Sequence, residues 1–309
     1  MKKVLVVGAS GSMGYAMVQE LVSRGTFEVV AFARTKSKLE RLFGNQSSVT
    51  IVAGDAFNKE DITAAAQGAD IIIHALNVPY SEWEEKLPIF MNHILSVVKK
   101  VNAQLVVVDN IYAYGKSSGE KITEDYPKRP HTKKGKIRLQ LENMIKESGI
   151  PFLIAHFPDF YGPHAENTLL HHTLQKVVQN RKTMFVGRPD IPREYIYTPD
   201  GAKALVELSL RKHAYGQNWN IPGAGVITGN EILQILRRHG YTKGMTTITK
   251  RMIQLAGLFD KEMREYAEMY YLNEQPVILS GEKLKKNSAK SRKRLMRLVS
   301  YEDQVHICV

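Results

Sequence analysis

The chain has 309 residues, of which 43% are hydrophobic and 24% charged, and it carries a formal net charge of +12. This composition is typical of a soluble globular protein with one large domain or two closely joined ones. No apolar run is long enough to cross a membrane, and the single cysteine, Cys308, excludes an intrachain disulfide. We therefore predict a cytoplasmic protein with no membrane partner.

The first predicted strand and the loop after it carry the strongest signal. Residues 4–7 form the short apolar run of a buried parallel strand, and a helix is predicted over 13–23. Glycines between the two allow a tight turn, close approach of the backbone to a pyrophosphate and close packing of the helix on the strand. The N–H groups at the start of the helix then attract phosphate. We predict a dinucleotide site built from the loop residues Gly8, Ser10, Gly11, Ser12, Met13 and Gly14.

Strands and helices alternate through the first half of the chain. Further strands are predicted over 28–33, 49–53, 70–76, 105–109 and 151–157, with helices over 36–43, 59–67, 84–101 and 133–148. Such alternation predicts a doubly wound parallel sheet with helices on both faces. Residues 158–164 show neither the periodicity of a helix nor that of a strand. Beyond them we predict helices over 167–180, 201–211 and 228–239 and a short strand over 218–221.

The G-x-x-G-x-x-G spacing resembles that of the atypical and extended short-chain dehydrogenase/reductases, which are grouped with the NAD-dependent epimerases/dehydratases. The resemblance covers about residues 2–279. It implies an α/β fold in which a doubly wound parallel Rossmann sheet is joined to a smaller C-terminal substrate region. The implied NAD(P)-binding domain is 1–160, with 190–215 returning to it. The substrate region is 161–189 and 216–282, and a basic tail follows over 283–309.

The residues after the second strand predict the cofactor. An NAD site commonly has an acidic residue there to bind the ribose 2′-hydroxyl, whereas this chain has Arg34, which can pair with a 2′-phosphate. We therefore predict NADP, with NAD as the alternative. The family resemblance further places Asp55 and Ala56 against the adenine, and Ala75 and Leu76 along the second ribose. It places the backbone around Phe157 at the nicotinamide carboxamide.

Active members of the resembling family use a Ser or Thr after the fifth strand and a Tyr-x-x-x-Lys pair. The segment V-V-V-D-N-I-Y-A-Y-G over 106–115 aligns Asn110 with the serine. The segment H-T-K-K-G-K over 131–136 aligns Thr132 with the tyrosine and Lys136 with the lysine. An aliphatic hydroxyl cannot shuttle a proton near neutral pH as a phenol does. We therefore predict a rearranged acid/base, in which Asn110 polarises a carbonyl and Tyr112 replaces the missing acid.

Two functions follow from these residues. One is an NADP-dependent oxidoreductase, or a sugar-nucleotide epimerase/dehydratase, with an unidentified small-molecule substrate. The other is a non-catalytic NADP-binding redox sensor. No H-E-x-x-H or C-x-x-C motif is present, and we predict no metal site. Eight basic residues lie between 283 and 297 and leave a charge of +4 on the rest, so nucleic acid is expected only through this tail. The sequence leaves the oligomeric state open.

Overall fold

A computed structural model describes residues 1–166 and 168–288 of the chain. The strands, numbered in chain order, are β1 (Lys2–Val7), β2 (Phe27–Ala33), β3 (Val49–Ala53), β4 (Ile71–His74), β5 (Gln104–Asn110), β6 (Phe152–Phe157), β7 (Asp159–Tyr161), β8 (Thr183–Val186), β9 (Arg193–Tyr197), β10 (Gln217–Asn220), β11 (Val226–Ile227) and β12 (Met245–Ile248).

The helices are α1 (Ser12–Ser23), α2 (Lys36–Phe43), α3 (Lys59–Ala65), α4 (Trp83–Val101), α5 (Lys133–Glu147), α6 (Leu169–Val178), α7 (Thr198–Ser209), α8 (Gly229–Arg238), α9 (Lys250–Ala256), α10 (Lys261–Ala267) and α11 (Glu282–Ser288). Short 3₁₀ segments lie at Tyr80–Glu82, Tyr112–Tyr114, Lys212–Ala214 and Glu268–Asn273. Within the two described ranges, no helix combines the length and apolarity that a membrane crossing requires.

Seven parallel strands form the central sheet, in the order β10-β6-β5-β4-β1-β2-β3. This arrangement confirms the predicted doubly wound α/β Rossmann fold. The strand order reverses between β1 and β4, and in such sheets ligands bind in the crevice at the carboxyl ends of the strands at that point. The loops that follow β1, β2, β4, β5 and β6 therefore define where a site is to be sought.

Both faces of the sheet are buried, which explains the continuous apolar runs in its strands. Along β1, Val4 and Val6 belong to one core layer, whereas Leu5 and Val7 belong to the other. The first layer is completed by α1, α2 and α7, and the second by α3, α4 and α5. Successive side chains of a strand point to opposite faces of the sheet. A strand that is buried on both faces therefore lacks the usual alternation of polar and apolar residues.

The second half of the chain differs from the sequence-based expectation at several short strands. β10 pairs with β6 in the central sheet, although residues 216–282 were assigned to the smaller region. Residues 158–164 contain β7, which pairs with β9, and β8 pairs with β12. The strands β7, β8, β9 and β12 were not predicted, and each has three to five residues, too few to show a period of two.

The segment predicted as a basic tail begins inside the fold. In α11, the ammonium of Lys283 lies 4.4 Å from the centre of a ring of Trp219 and donates to the carbonyl of Asn218 at 2.6 Å. These contacts stabilise α11 against β10. The rest of the predicted tail, with Cys308 and most of its basic residues, lies outside the described residues, as does Asn167.

Candidate active site

The three glycines after β1 differ in how much space their surroundings leave for a side chain. Gly8 has a φ of +87°, and a Cβ there would lie 2.8 Å from the Cα of Leu76. A Cβ on Gly14 would lie 2.1 Å from the carbonyl oxygen of Gly8. At Gly11 the nearest atom would be that same oxygen at 3.4 Å, an ordinary contact. The fold therefore requires Gly8 and Gly14, whereas Gly11 leaves space for a ligand.

The first turn of α1 fits a pyrophosphate. Its N-cap, Gly11, provides no side-chain cap, and no acidic residue lies in the first turn. The N–H groups of this turn are therefore free to bind an anion at the positive end of the helix dipole. Ser10 and Ser12 are half-buried beside it, whereas the Met13 side chain is buried in the core and leaves only its backbone for a ligand.

Two of the predicted adenosine contacts follow neighbouring strands at the same edge of the sheet. Arg34, after β2, is exposed and makes no ion pair or hydrogen bond with any described residue. Asp55, after β3, accepts from the backbone N–H of Phe57 at 3.0 Å through Oδ1 and is exposed. The buried Ala56 follows it. Asp55 thus holds its own turn with one oxygen and leaves the other for a donor.

The end of β4 borders the glycine loop, as expected for Ala75 and Leu76. The backbone N–H of Ala75 donates to the carbonyl of Val7 at 2.9 Å, and Leu76 lies against Gly8. His74, the last residue of β4, is buried, and its Nδ1 has no hydrogen-bond partner in the described part of the chain. Burial, together with the positive charge of Arg138, lowers the pKa of His74 to about 3.

The lowered pKa of His74 predicts a loss of stability in acid. The unfolded chain takes up a proton near pH 6.5 and the folded chain does not, so the free energy of unfolding should fall as pH drops from 6.5 towards 3. One such group contributes a slope of about 1.4 kcal/mol per pH unit. Urea unfolding of the cofactor-free protein should show a shallower slope for His74→Gln, whereas replacing the exposed His213 by glutamine should leave it unchanged. Equal slopes in all three proteins would contradict this assignment.

The turn after β5 fixes Asn110 through its own backbone. Asp109 accepts from the N–H of Asn110 at 2.8 Å, and Asn110 Oδ1 accepts from the N–H of Tyr112 at 3.0 Å. The amide oxygen of Asn110 is therefore engaged, while its Nδ2 makes no hydrogen bond within the described ranges and remains a donor. That agrees with the predicted ability of Asn110 to polarise a carbonyl.

Thr132 and Lys136, the residues aligned with the Tyr-x-x-x-Lys pair, lie at the start of α5, one buried and the other exposed. Thr132 is the N-cap of α5 and accepts from the N–H of Gly135 at 3.1 Å, so its hydroxyl serves the helix. Lys136 is exposed and lines an open groove beside Glu84. Residues two apart on a helix point about 200° apart. Lys136 therefore lies on the face opposite to Lys134, which is only 1% exposed.

Lys134 and Arg138 have the spacing of four and the orientation that the pair requires. The Lys134 ammonium forms ion pairs with Glu265 and Glu268 and lies 5.8 Å from the ring centre of Tyr80. Lys134 and Arg138 therefore offer a second alignment with the tyrosine and lysine positions of the pair. A signal for this register was present in the sequence, because Ile137, Leu141 and Ile145 mark the core face of α5 and Lys134, Arg138 and Glu142 run beside it at the same spacing.

Arg138 connects the ends of β4 and β5. Its guanidinium lies 3.4 Å from Oδ1 of Asp109 and 3.2 Å from Oδ1 of Asn77, and it covers a ring of Trp83 at 4.2 Å. Its Nε is buried without a partner in the described residues. Together with the unpartnered Nδ1 of His74, it leaves two buried polar atoms at the edge where a dinucleotide would pass.

Tyr112 lies within a cluster of aromatic side chains above this edge. Its hydroxyl is 2.5 Å from that of Tyr80, and its ring stacks on Trp83 at 5.9 Å. Burial raises the pKa of Tyr112 well above its usual range, and burial also raises that of Tyr80. Both phenols therefore stay protonated at neutral pH and can act as hydrogen-bond or proton donors.

Asp159, which the sequence did not single out, faces the same phenols from β7. Asp159 is exposed at the surface, but desolvation by the protein around its carboxyl raises its pKa, partly offset by the charge of Arg193. Its negative charge in turn contributes to the raised pKa values of Tyr80 and Tyr112. Phe157, by contrast, is buried and packs on Phe160, so only its backbone could meet a cofactor.

A buried polar cluster lies beneath the site. Asp109, Glu142 and His156 place one potential ligand atom each within 4.8 Å of one another, a separation that suits a metal ion. The Lys128 ammonium lies among them, because it donates to Nε2 of His156 at 3.0 Å and pairs with Glu142. Burial alone would raise the pKa of Glu142, but the hydrogen bond with His156 and the charge of Lys128 hold it low. A lysine thus provides the positive charge at this place.

Comparisons with known proteins identify the family and the fold. The family described as NAD(P)H-binding matches residues 8–190. The chain is 32% identical to the shikimate dehydrogenase (NADP(+)) of Thermococcus kodakarensis over 113 residues, which is 36% of this chain and 35% of that protein. It is 23% identical to the spore coat polysaccharide biosynthesis protein SpsK of Bacillus subtilis, over 67% of this chain and 70% of that protein.

Among solved structures, dTDP-glucose 4,6-dehydratase of Bacillus anthracis in complex with NAD superposes with a TM-score of 0.80. The superposition covers 99% of this chain and 96% of that one, at 18% identity. The fold is thus that of the NAD-dependent epimerases/dehydratases, and the resemblance read from the glycine spacing is confirmed.

Proposed function

The chain belongs to the NAD(P)H-binding family, and we propose that it is an NADP(H)-dependent oxidoreductase acting on a carbonyl or alcohol group. The observation that carries this proposal is the hydrogen-bonded pair of phenols after β4 and β5, in which the hydroxyls of Tyr80 and Tyr112 lie 2.5 Å apart, with Asp159 close enough for its charge to raise the pKa of both. A site that only reported cofactor binding would need no proton donor at the nicotinamide end.

Each of these side chains has a separate role in the carbonyl reduction that we propose. A bound nicotinamide supplies the hydride. Tyr112 donates its phenolic proton to the substrate oxygen, and the side-chain Nδ2 of Asn110 polarises the same oxygen. The hydroxyl of Tyr80 is hydrogen-bonded to that of Tyr112, and the charge of Asp159 contributes to the raised pKa values of both phenols. Arg138 would hold the ribose end of the cofactor in place of the usual lysine.

Cofactor choice rests on Arg34. Its free guanidinium fits a 2′-phosphate, so we expect tighter binding of NADPH than of NADH. Arg34→Ala should weaken NADPH binding by about 1.5–3 kcal/mol, the usual contribution of a charge-assisted hydrogen bond, and leave NADH binding nearly unchanged. Calorimetric titration of both proteins with both cofactors measures this, with the exposed Arg41→Ala as the control. The same preference for NADPH in wild type and Arg34→Ala would remove Arg34 from the site.

Turnover tests the proposal as a whole. NADPH oxidation should be detected with at least one member of a panel of ketones, aldehydes and keto-sugar nucleotides. The second candidate, a redox sensor, is favoured by Lys134, because an ammonium paired with two glutamates stands where the family has its catalytic phenol. Binding of NADPH without oxidation by any substrate of the panel would decide for the sensor.

A further inference from the structure

The hairpin of α9 and α10 presents a cluster of apolar side chains to solvent. Phe259 is 93% exposed, Leu258 66% and Leu255 64%, and Met252 and Met263 are exposed beside them. Other exposed apolar residues, such as Val178 and Val226, lie on other elements and are not part of this cluster. A contiguous apolar surface of this kind marks an interaction site. We call these five residues the hairpin tip.

The hairpin tip is held in place by ordered backbone. In the turn, Leu258 donates to the carbonyl of Leu255 at 3.2 Å and Phe259 to that of Ala256 at 3.0 Å. Asp260 caps α10 by accepting from the N–H of Met263 at 3.0 Å. Gly257 allows the two helices to touch, because a Cβ there would lie 2.9 Å from the Cα of Arg264. The apolar side chains are thus presented by a structured turn.

Basic residues lie on both helices of the hairpin. Lys250 and Arg251 begin α9, Lys261 begins α10, and Arg264 lies on its next turn, all exposed and none in an ion pair with a described residue. The acidic residues of α10 point the other way: Glu262 accepts from the backbone of Tyr80 and Ser81, and Glu265 pairs with Lys134. The outer face is therefore apolar at the turn and has a rim of exposed basic residues on both helices, and the exposed carboxylate of Asp260 beside Phe259 caps α10.

We propose that the hairpin tip docks onto an anionic lipid surface. Phe259 and Leu258 would enter the boundary between headgroups and acyl chains, while the basic rim would lie among the lipid phosphates. Leu255 would lie between these two levels. The unpaired positive charges favour a lipid surface over a second copy of this chain, which carries the same positive rim. The sequence predicted no membrane partner because no segment can span a bilayer, but interfacial binding requires no span.

Vesicle co-sedimentation of the full chain tests this. The wild type should bind vesicles of equal parts phosphatidylglycerol and phosphatidylcholine, and bind pure phosphatidylcholine vesicles much less. The double variant Leu258→Ser/Phe259→Ser should lose about tenfold or more in partitioning, because each large apolar side chain contributes at least that on burial. The matched control Val178→Ser/Val226→Ser should bind as the wild type does. All variants keep residues 289–309, so the basic tail is constant.

Because both substituted side chains are exposed, thermal unfolding and NADPH affinity should be unchanged in the double variant. A wild type that ignores anionic vesicles, or a double variant that binds them equally well, would overturn the proposal. So would sedimentation velocity showing a wild-type dimer that the double substitution dissociates while vesicle binding is absent, since the occupant would then be a second copy. None of these outcomes depends on whether the protein turns over a substrate.

Discussion

Gly11→Val should abolish NADPH binding and leave the protein folded. The backbone at Gly11 has φ −86° and ψ 170°, which valine adopts readily, and the nearest atom to a new Cβ is 3.4 Å away. The valine side chain would instead occupy the space in front of α1 that a pyrophosphate needs. We expect a loss of affinity of about a hundredfold or more, in keeping with the loss of several phosphate contacts.

Gly14→Val is the matched comparison. Its Cβ would lie 2.1 Å from the carbonyl oxygen of Gly8, so this variant should lose the fold itself as well as binding. Circular dichroism and thermal unfolding separate the two results, and calorimetry measures NADPH affinity. If the Gly11→Val protein binds NADPH as the wild type does, the loop is not the phosphate site.

Tyr112→Phe should reduce turnover by about 10²–10⁴-fold, the usual contribution of a positioned acid. The phenol that burial keeps protonated is lost, while the ring can still stack on Trp83. NADPH affinity should stay within about twofold, because the proposal places the phenol at the substrate. Single-turnover kinetics with the best substrate of the panel measures the chemical step.

Thr132→Val is the control for Tyr112→Phe. Thr132 was aligned with the family's catalytic tyrosine, but its hydroxyl caps α5. Its loss should lower the free energy of unfolding by about 1 kcal/mol and change turnover little. A large fall in turnover for Thr132→Val, or a small one for Tyr112→Phe, would refute this assignment of roles.

The sheet and its glycine loop were predictable because each rests on local signals. Buried parallel strands give apolar runs, and only glycine suits positions such as Gly8, so the first six strands and α1 lie within a few residues of their predicted places. The alignment of Lys136 had a weaker basis. A motif with one matching residue can be aligned in two registers, and only the burial of Lys134 and Arg138 separates them.

The positions of the remaining site residues depend on long-range contacts, which the periodicity of the sequence does not reveal. Asp159 lies on a strand of three residues, and its raised pKa comes from enclosure by distant parts of the chain. Glu265 reaches Lys134 across more than a hundred residues of sequence. Such pairs are fixed by tertiary packing, which overrides local preference.

The hairpin of α9 and α10 has two working faces on one short element. Its inner face holds Tyr80 and Lys134 through Glu262 and Glu265, and its outer face carries the hairpin tip. If the position of the hairpin differs between the ligand-bound and ligand-free site, the two faces are thermodynamically coupled. If binding to a surface changes the affinity for the ligand by some factor, ligand binding must change the affinity for the surface by the same factor. The reason is that the coupling free energy is the same in both directions. Under this condition, binding of the protein to a surface and binding of a ligand to its site are linked equilibria.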